Sequence, residues 1–465
     1  MTTNGPTAAI ADWIVQQRAA DGDPRAVEAA KVSLIDTIGC LFAGTDERST
    51  KLVVETLAAG DVAAPVAAFG DMATPWDAAL VGGTAAHALD YDDYDLVSYA
   101  HPGVVLVPAV TAVGRQVRAS GAALIDGYLA GYHVMQCIGS VVNPAAYLTG
   151  FHGTGVIGVM GAAAAAAKVM GLGHDEVRVT LGIAASLAAG LRSNFGTDVK
   201  PLHAGRAAQA GVLAAHLASR GFAASREIVE AERGFVDALS TDGRERLDAR
   251  VRALADGEIS IVDDPPTTKV YPSCGATHSA IRGVLDIATT LGRDSTGRIE
   301  KVTVDGPHFV TTILIHHRPT TALEAKFSME GCIALALVDG GAGLAQFTEP
   351  SVARREVQDL IPRVELRGDD RMESTYLGSG SLPSVVTVSL DGEDHRAEVL
   401  DAPGSKASPV PMEAIVAKFH DCLSVSGADV DRPAILAWLG ELEQVDDVTP
   451  LVGLLAAPPA PSDRR

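Results

Sequence analysis

Between Thr84 and His101 the chain reads TAAHALDYDDYDLVSYAH, and Pro102-Gly103 follow at once. The stretch holds Asp90, Asp92, Asp93 and Asp95, His87 and His101, and Tyr91, Tyr94 and Tyr99, while its flanks are Ala, Val, Gly and Leu. Polar groups in apolar surroundings are costly to bury unless paired. Such a patch is either a site of perturbed charge or a solvated turn. A calcium loop needs Gly at its sixth position and Glu at its twelfth. Counted from Asp90 these positions hold Asp95 and His101, which excludes it. A transition-metal set of His87, Asp90 and His101 stays open on composition, because spacing alone does not set metal geometry.

Three further stretches carry chemistry. Phe151-His152-Gly153-Thr154 sets a histidine among small residues at a helix start, where it either caps the helix or helps hold an anion. GTDVKPLHAG (196–205) places Lys200 and His203 between two apolar helices, with Lys200 either a site cation or a solvated loop lysine. KVYPSCGATH (269–278) lies where the sequence pattern changes, and sites favour such junctions. Cys274 there has no local activating signature, so a buried thiol is its default reading. Gly153, Gly155 and Gly158 spell GxGxxG, but a dinucleotide site needs a strand before the glycines and an acidic residue after a second strand. Here AAYLTGFH precedes and an Ala run follows, so close helix packing is the better reading.

Helices must position these residues. Asp23-Pro24 reads as cap and first helical residue, and Val27, Ala30, Leu34, Ile38 and Leu41 recur at helical spacing until Gly44. Thr74-Pro75-Trp76-Asp77 repeats the start signal for a helix to about Leu89, so the Asp-rich stretch is a helix end and the loop after it. Helical segments follow at about 102–117, 120–139, 153–171, 175–191 and 202–220, and no strand pair is evident before about 255. After the break at Asp263-Asp264-Pro265-Pro266 the pattern mixes. Helices are expected at 276–291, 322–339 and 350–359, and strands at 298–305, 362–367, 384–390 and 396–400, the last two around an Asp391-Gly392 turn. Helical spacing returns at 411–424 and 431–444, and the tail APPAPSDRR reads as disordered. The expected architecture is mainly α: a helical domain over 1–265, a smaller α+β lid domain over 266–405, and C-terminal helices over 406–465 returning to the first domain.

Composition limits the function classes. Of 465 residues, 47% are hydrophobic and 20% charged, which fits a globular protein. The net charge of −21 argues against nucleic acid and anionic membrane surfaces, whose binding requires a basic footprint. It permits a small anionic ligand, because bulk charge is screened beyond roughly 8 Å. Five scattered cysteines without CxxC favour a reducing compartment, and the N-terminus has no signal-peptide pattern, so a cytoplasmic location is expected.

Taken in order, HALDYDD…HPG, FHGTG, NFGTDVKPLHAG, KVYPSCGATH and EAKFSMEGCIA resemble the MmgE/PrpD family, over about residues 8–425. That family includes 2-methylcitrate dehydratases, cis-aconitate decarboxylases and iminodisuccinate epimerases. The resemblance implies a homodimer that works without cofactor or metal on a small polycarboxylate, in a cleft between a large helical domain and the lid. Motif by motif, it gives catalytic positions to Asp90, His101, His152, Lys200 and Lys269, and substrate-binding positions to Tyr94, Thr154, Cys274 and His203. Tyr94 stands where a Thr is usual. Cys274 and Gly331 stand where decarboxylase-like members place a His and a Tyr, and the YPSC form looks closer to the epimerase branch. The expected activity is a lyase reaction of the 2-methylcitrate dehydratase type. Epimerisation, decarboxylation and carboxylate binding without catalysis are the alternatives. In this reading Lys200 and Lys269 meet substrate carboxylates and enediolate-like charge, His101 or His152 moves the proton, and Asp90 orients or charges an imidazole. Asp92, Asp93 and Asp95 keep structural or solvated roles.

Overall fold

The computed structural model describes residues 5–19, 22–57, 72 and 74–455, and the tail expected to be disordered lies outside them. The helical part begins with α1 (Pro6–Gln16) and α2 (Pro24–Gly44). Asp23 accepts the amide N–H of Arg25, and Pro24 sits in the first turn, where its missing N–H costs nothing. α3 (Pro75–His87) starts the same way, with Thr74 Oγ1 accepting from the Asp77 N–H and the Asp77 carboxylate near the positive helix end. α4 (Gly103–Val117), α5 (Gly121–Val142), α6 (Gly153–Val169), α7 (His174–Leu187) and α8 (Val199–Ser219) follow. α3 and α8 cross so closely that a Cβ on Gly83 would stand 2.8 Å from Gly205 Cα. Val81, Leu106, Tyr128, Ile157 and Ala208 are buried in the core these helices share. Burying each large apolar side chain contributes about 1.5–3 kcal/mol.

A second core is built on α9 (His278–Leu291), β1 (Ile299–Gly306), α10 (Met329–Asp339), β2 (Val364–Gly368), α11 (Asp370–Ser379), β3 (Ser384–Leu390) and β4 (Glu393–Val399). The sheet runs β2-β1-β3-β4; β1 and β2 are parallel and the other pairs antiparallel. Val302 pairs with Val364 on one side and Val388 on the other, and the buried Val302, Val304, Val386 and Val388 pack with Ile281 and Val284 of α9. Asp391 and Gly392 both have positive φ, the hairpin turn whose twist matches its strands. β4 therefore begins at Glu393, ahead of the expected 396.

Two departures from expectation shape the cleft. The helix expected over 322–339 is broken: Ser328 Oγ accepts from the Gly331 N–H and starts α10 at Met329, after the short helix Ala322–Ala325. Lys326 and Phe327 lie in that break. α11 was not expected, although its signals stand in the chain: Asp369 accepts from the Met372 N–H, and Gly380 ends the helix in a left-handed conformation.

α12 (Met412–Ser426) and α13 (Arg432–Gly440) return to the first core, where Ile415, Phe419, Leu423, Ile435 and Leu439 are buried. A Cβ on Gly39 of α2 would lie 3.3 Å from Phe419 Cα, so small size at that position lets α12 approach. Among the described residues no helix is long and apolar enough to cross a membrane.

Candidate active site

The loop after α3 is shaped by two of its own carboxylates. Asp95 accepts from the Val97 and Ser98 N–H groups at 3.1 and 2.8 Å, and Asp93 Oδ1 accepts from the Gly103 N–H at 2.9 Å. Burial, with Asp36 and Asp92 close by, pushes the Asp93 carboxyl well above the usual range. Tyr94 and Thr267 exchange backbone hydrogen bonds at 3.0 and 2.7 Å, tying this loop to the segment that leads to Lys269.

Asp90 turns the chain in the left-handed region, at φ 52°. Lys200 Nζ lies 2.5 Å from its Oδ1 and Lys269 Nζ 3.0 Å from the same oxygen. Lys269 also donates to the Asp90 carbonyl at 2.9 Å. Burial opposes ionisation of Asp90, yet Lys200 and Lys269 hold its carboxyl well below the usual range. Burial likewise disfavours the Lys269 ammonium, and Asp90 and Asp92 more than offset this. Lys200 is reached because α8 starts at Val199, earlier than expected; the lysine sits in the first helical turn rather than in a solvated loop, and it is buried.

Three imidazoles surround this ion cluster. His87 Nδ1 lies 2.9 Å from Asp92 Oδ1, and its Nε2 lies 3.0 Å from Lys200 Nζ. An ammonium only donates, so His87 Nε2 accepts and the ring proton sits on Nδ1. Burial lowers His87 to about 3, against the pull of Asp92, and the ring is neutral. His101 Nδ1 lies 2.7 Å from the Asp93 carbonyl and 2.8 Å from Asp92 Oδ2. Its Nε2 is thereby the free nitrogen. Burial lowers the His101 pKa and Asp92 resists that. His152 Nδ1 meets His203 Nδ1 at 3.1 Å, and His152 Nε2 is buried without a partner among the described residues. Burial, then Lys200, hold His152 well below the usual histidine range. His152 precedes α6 but makes no side-chain cap bond, so the capping reading does not hold.

Asp90, His101, His152, Lys200 and Cys274 line one small cavity with Tyr99, Tyr147, Phe195 and Phe327. Tyr99, His101, Tyr147 and Cys274 also line an adjoining outer cavity with Phe309, Ile313 and Leu382 of the second core. The inner cavity is thus a charged, imidazole-lined chamber behind an aromatic throat between the two cores. The Cys274 thiol is pushed up by burial and by Asp90, so it stays protonated and is no ready nucleophile.

Other expected residues sit differently. Lys269 is fully buried beneath Asp90 and is absent from the cavity wall. Thr154 Oγ1 accepts from the His101 N–H at 3.0 Å, and His203 reaches the cavity only through His152. Tyr94 lines the outer cavity and packs against His278. It is Asp92, not Asp90, that meets the imidazoles, bonding His87 through Oδ1 and standing 2.8 Å from His101 Nδ1 through Oδ2, which removes Asp92 from the structural group. His87 was weighed only as a metal ligand, and Asp92, Tyr99, Tyr147, Phe195 and Phe327 were not singled out; His87, Asp92 and Tyr99 had a signal in the Asp-rich stretch, and Phe195 and Phe327 stand in the NFGTDVKPLHAG and EAKFSMEGCIA motifs.

Ligand atoms of His87, Asp90, Asp92 and His101 lie within 4.8 Å of one another. They do not fit a metal ion: Lys200 occupies both His87 Nε2 and Asp90 Oδ1, Lys269 shares that oxygen, and both ring Nδ1 atoms point at Asp92. The site instead suits proton transfer beside a bound anion.

Residues 8–247 match the model of the MmgE/PrpD N-terminal domain and residues 271–439 that of the MmgE/PrpD C-terminal domain. The chain is 26% identical to a human cis-aconitate decarboxylase over 451 aligned positions, covering 94% of this chain and 92% of the relative. It is 27% identical to a cis-aconitate decarboxylase of Aspergillus terreus over 482 positions (98% and 96%) and 25% identical to one of Mus musculus over 448 (93% and 89%).

Proposed function

Because the chain belongs to the MmgE/PrpD family, we propose that it is a carbon–carbon lyase that decarboxylates a small unsaturated polycarboxylate by acid/base chemistry. One observation carries the reading: His101, its Nδ1 held by the Asp93 carbonyl with the Asp92 carboxylate beside it, lines one cavity with the Lys200 ammonium and with His152, whose buried Nε2 has no partner among the described residues. The dehydratase reading favoured by the sequence alone uses the same groups. Decarboxylation is preferred because the relatives named above carry that activity along nearly their whole length.

In the proposed step Lys200 and His152 bind carboxylates, and Phe195 and Phe327 exclude water, which strengthens both contacts. The carbon–carbon bond to one carboxylate breaks and carbon dioxide leaves. Its electron pair enters the conjugated alkene-carboxylate as an enediolate, which Lys200 stabilises. His101, protonated as the polyanion binds, then delivers a proton from Nε2 to carbon. Asp90 and Lys269 keep the Lys200 ammonium in place. The homodimer implied by the family belongs to this proposal.

The test is incubation with cis-aconitate, 2-methylcitrate, citrate and an amino-dicarboxylate in D₂O, followed by proton NMR. Carbon dioxide release with one deuterium on the product carbon is expected. Alkene formation from a hydroxy acid without carbon dioxide would replace the reading with dehydration, and deuterium uptake without conversion would replace it with epimerisation.

A further inference from the structure

Three consecutive carbonyls of the Asp90 turn each accept a hydrogen bond from a different buried lysine. Leu89 O accepts from Lys326 Nζ at 2.7 Å, Asp90 O from Lys269 Nζ at 2.9 Å and Tyr91 O from Lys418 Nζ at 2.6 Å. The three lysines come from distant parts of the chain: the break before α10, the segment after the Asp-Asp-Pro-Pro break, and α12. Lys326 and Lys418 each take a second carbonyl, Pro272 O and Lys269 O, both at 2.9 Å. Residues 89–91 and 269–272 are therefore cross-braced at both ends, with the Asp90–Lys269 ion pair between the braces.

Neither outer lysine lines the inner cavity. Lys418 lies 2.7 Å from Asp36 Oδ1, which balances its charge. Among the described residues Lys326 has no carboxylate at ion-pair distance; its ammonium is met by the two carbonyls and, 5.1 Å away, by the Phe347 ring. A buried ammonium with no carboxylate in contact is a costly choice where an apolar side chain would fill the space, and burial pushes Lys326 down to about 8 against the pull of Asp90 and Glu47. What it secures is geometry. Asp90 is in a left-handed conformation that L-residues rarely adopt, and such backbone persists only where its surroundings enforce it.

We propose that Lys326 and Lys418 are positioning residues, which brace residues 89–91 against residues 269–272 and so fix the Asp90 carboxylate between Lys200 and Lys269. The kinetic arm of the test rests on the lyase reading; the structural arm does not.

The variants are Lys326→Met, and Lys418→Met made together with Asp36→Asn so that no buried carboxylate is left alone. Crystal structures of the full chain are expected to show Asp90 leaving its left-handed φ and losing its contact with Lys200. In samples whose circular dichroism matches the wild type, kcat is expected to fall at least tenfold, with the pH profile displaced. A purely structural lysine would lower thermal stability and leave both kcat and the profile of the folded enzyme unchanged. An unmoved Asp90 in Lys326→Met overturns the proposal even if no substrate is ever turned over. Should the double variant fail to fold, Lys326→Met decides alone.

Discussion

His101 Nδ1 lies 2.8 Å from Asp92 Oδ2, and Asp92 Oδ1 lies 2.9 Å from His87 Nδ1. Asp92 thus fixes the proton on His87 Nδ1 by a hydrogen bond and sets its charge beside His101, whose Nδ1 proton goes to the Asp93 carbonyl at 2.7 Å, which leaves His101 Nε2 for chemistry. Replacing His101 with Gln is expected to lower kcat by about 10²–10⁴-fold, the usual worth of a general acid or base. Asp92→Asn removes the charge that sustains the imidazolium. The limb of the pH–rate profile that reports His101 then moves to lower pH. Steady-state kinetics from pH 5 to 9 on both variants check this, and an unmoved limb in Asp92→Asn would assign that limb to another group.

Binding of a polyanion is expected to draw protons from solution. Without ligand, His101 and His152 are depressed, by burial first in both, and are neutral near pH 7. A bound carboxylate supplies the missing counter-charge and raises both. Titration calorimetry with propane-1,2,3-tricarboxylate, which lacks the alkene, in buffers of different ionisation enthalpy is expected to show uptake of about one proton or more at pH 7. His101→Gln reduces that uptake. Heats independent of buffer would mean that the ligand binds without charging the imidazoles.

Acid should unfold the protein early. His87 and His278 are held at about 3 and His133 at about 4, each by burial first. Each unfolded imidazole titrates near 6.5, so between these values the unfolded chain binds more protons than the folded one. Stability is then present above about 6.5 and falls as the pH drops, by about 1.4 kcal/mol per pH unit for each such group. Denaturant titrations at pH 7, 6 and 5 read this directly. His133→Gln, at a ring shifted by burial with no charged group contributing, is expected to flatten the slope by roughly one proton.

Much of the scaffold was legible because its signals are local. Asp23-Pro24 and Thr74-Pro75 mark helix starts through caps that close within three residues, and Asp391-Gly392 marks a turn through backbone conformation alone. The site was less legible because its contacts are not local. Asp90 and Asp92 are two residues apart, and spacing does not say which carboxylate meets the imidazoles; the left-handed Asp90 decides it by turning the chain between them. Lys326 and Leu89 are separated by 237 positions, and Lys418 and Tyr91 by 327, so no periodicity links them. The Lys326 break was hidden for a different reason: Ser328 is a good cap, but the apolar spacing runs on through it.

Gly153→Ala should separate the throat from the chemistry. A Cβ at Gly153 would run into the Tyr99 carbonyl and stand 3.1 Å from that of Ser98, and backbone cannot swing aside as a side chain can. The overpacked variant is expected to lose about 1–3 kcal/mol of stability. Tyr99 lines both cavities, and its hydroxyl meets that of Tyr376 on α11 at 2.6 Å, so its displacement reaches the second core. His101, Asp92 and Lys200 make their contacts without Tyr99, so KM is expected to rise several-fold while kcat changes less. Gly341→Ala, where nothing lies within 4 Å of the added carbon, is the control and should leave both constants alone. If Gly153→Ala lowers kcat and spares KM, the Tyr99 turn supports the reacting groups rather than the entrance.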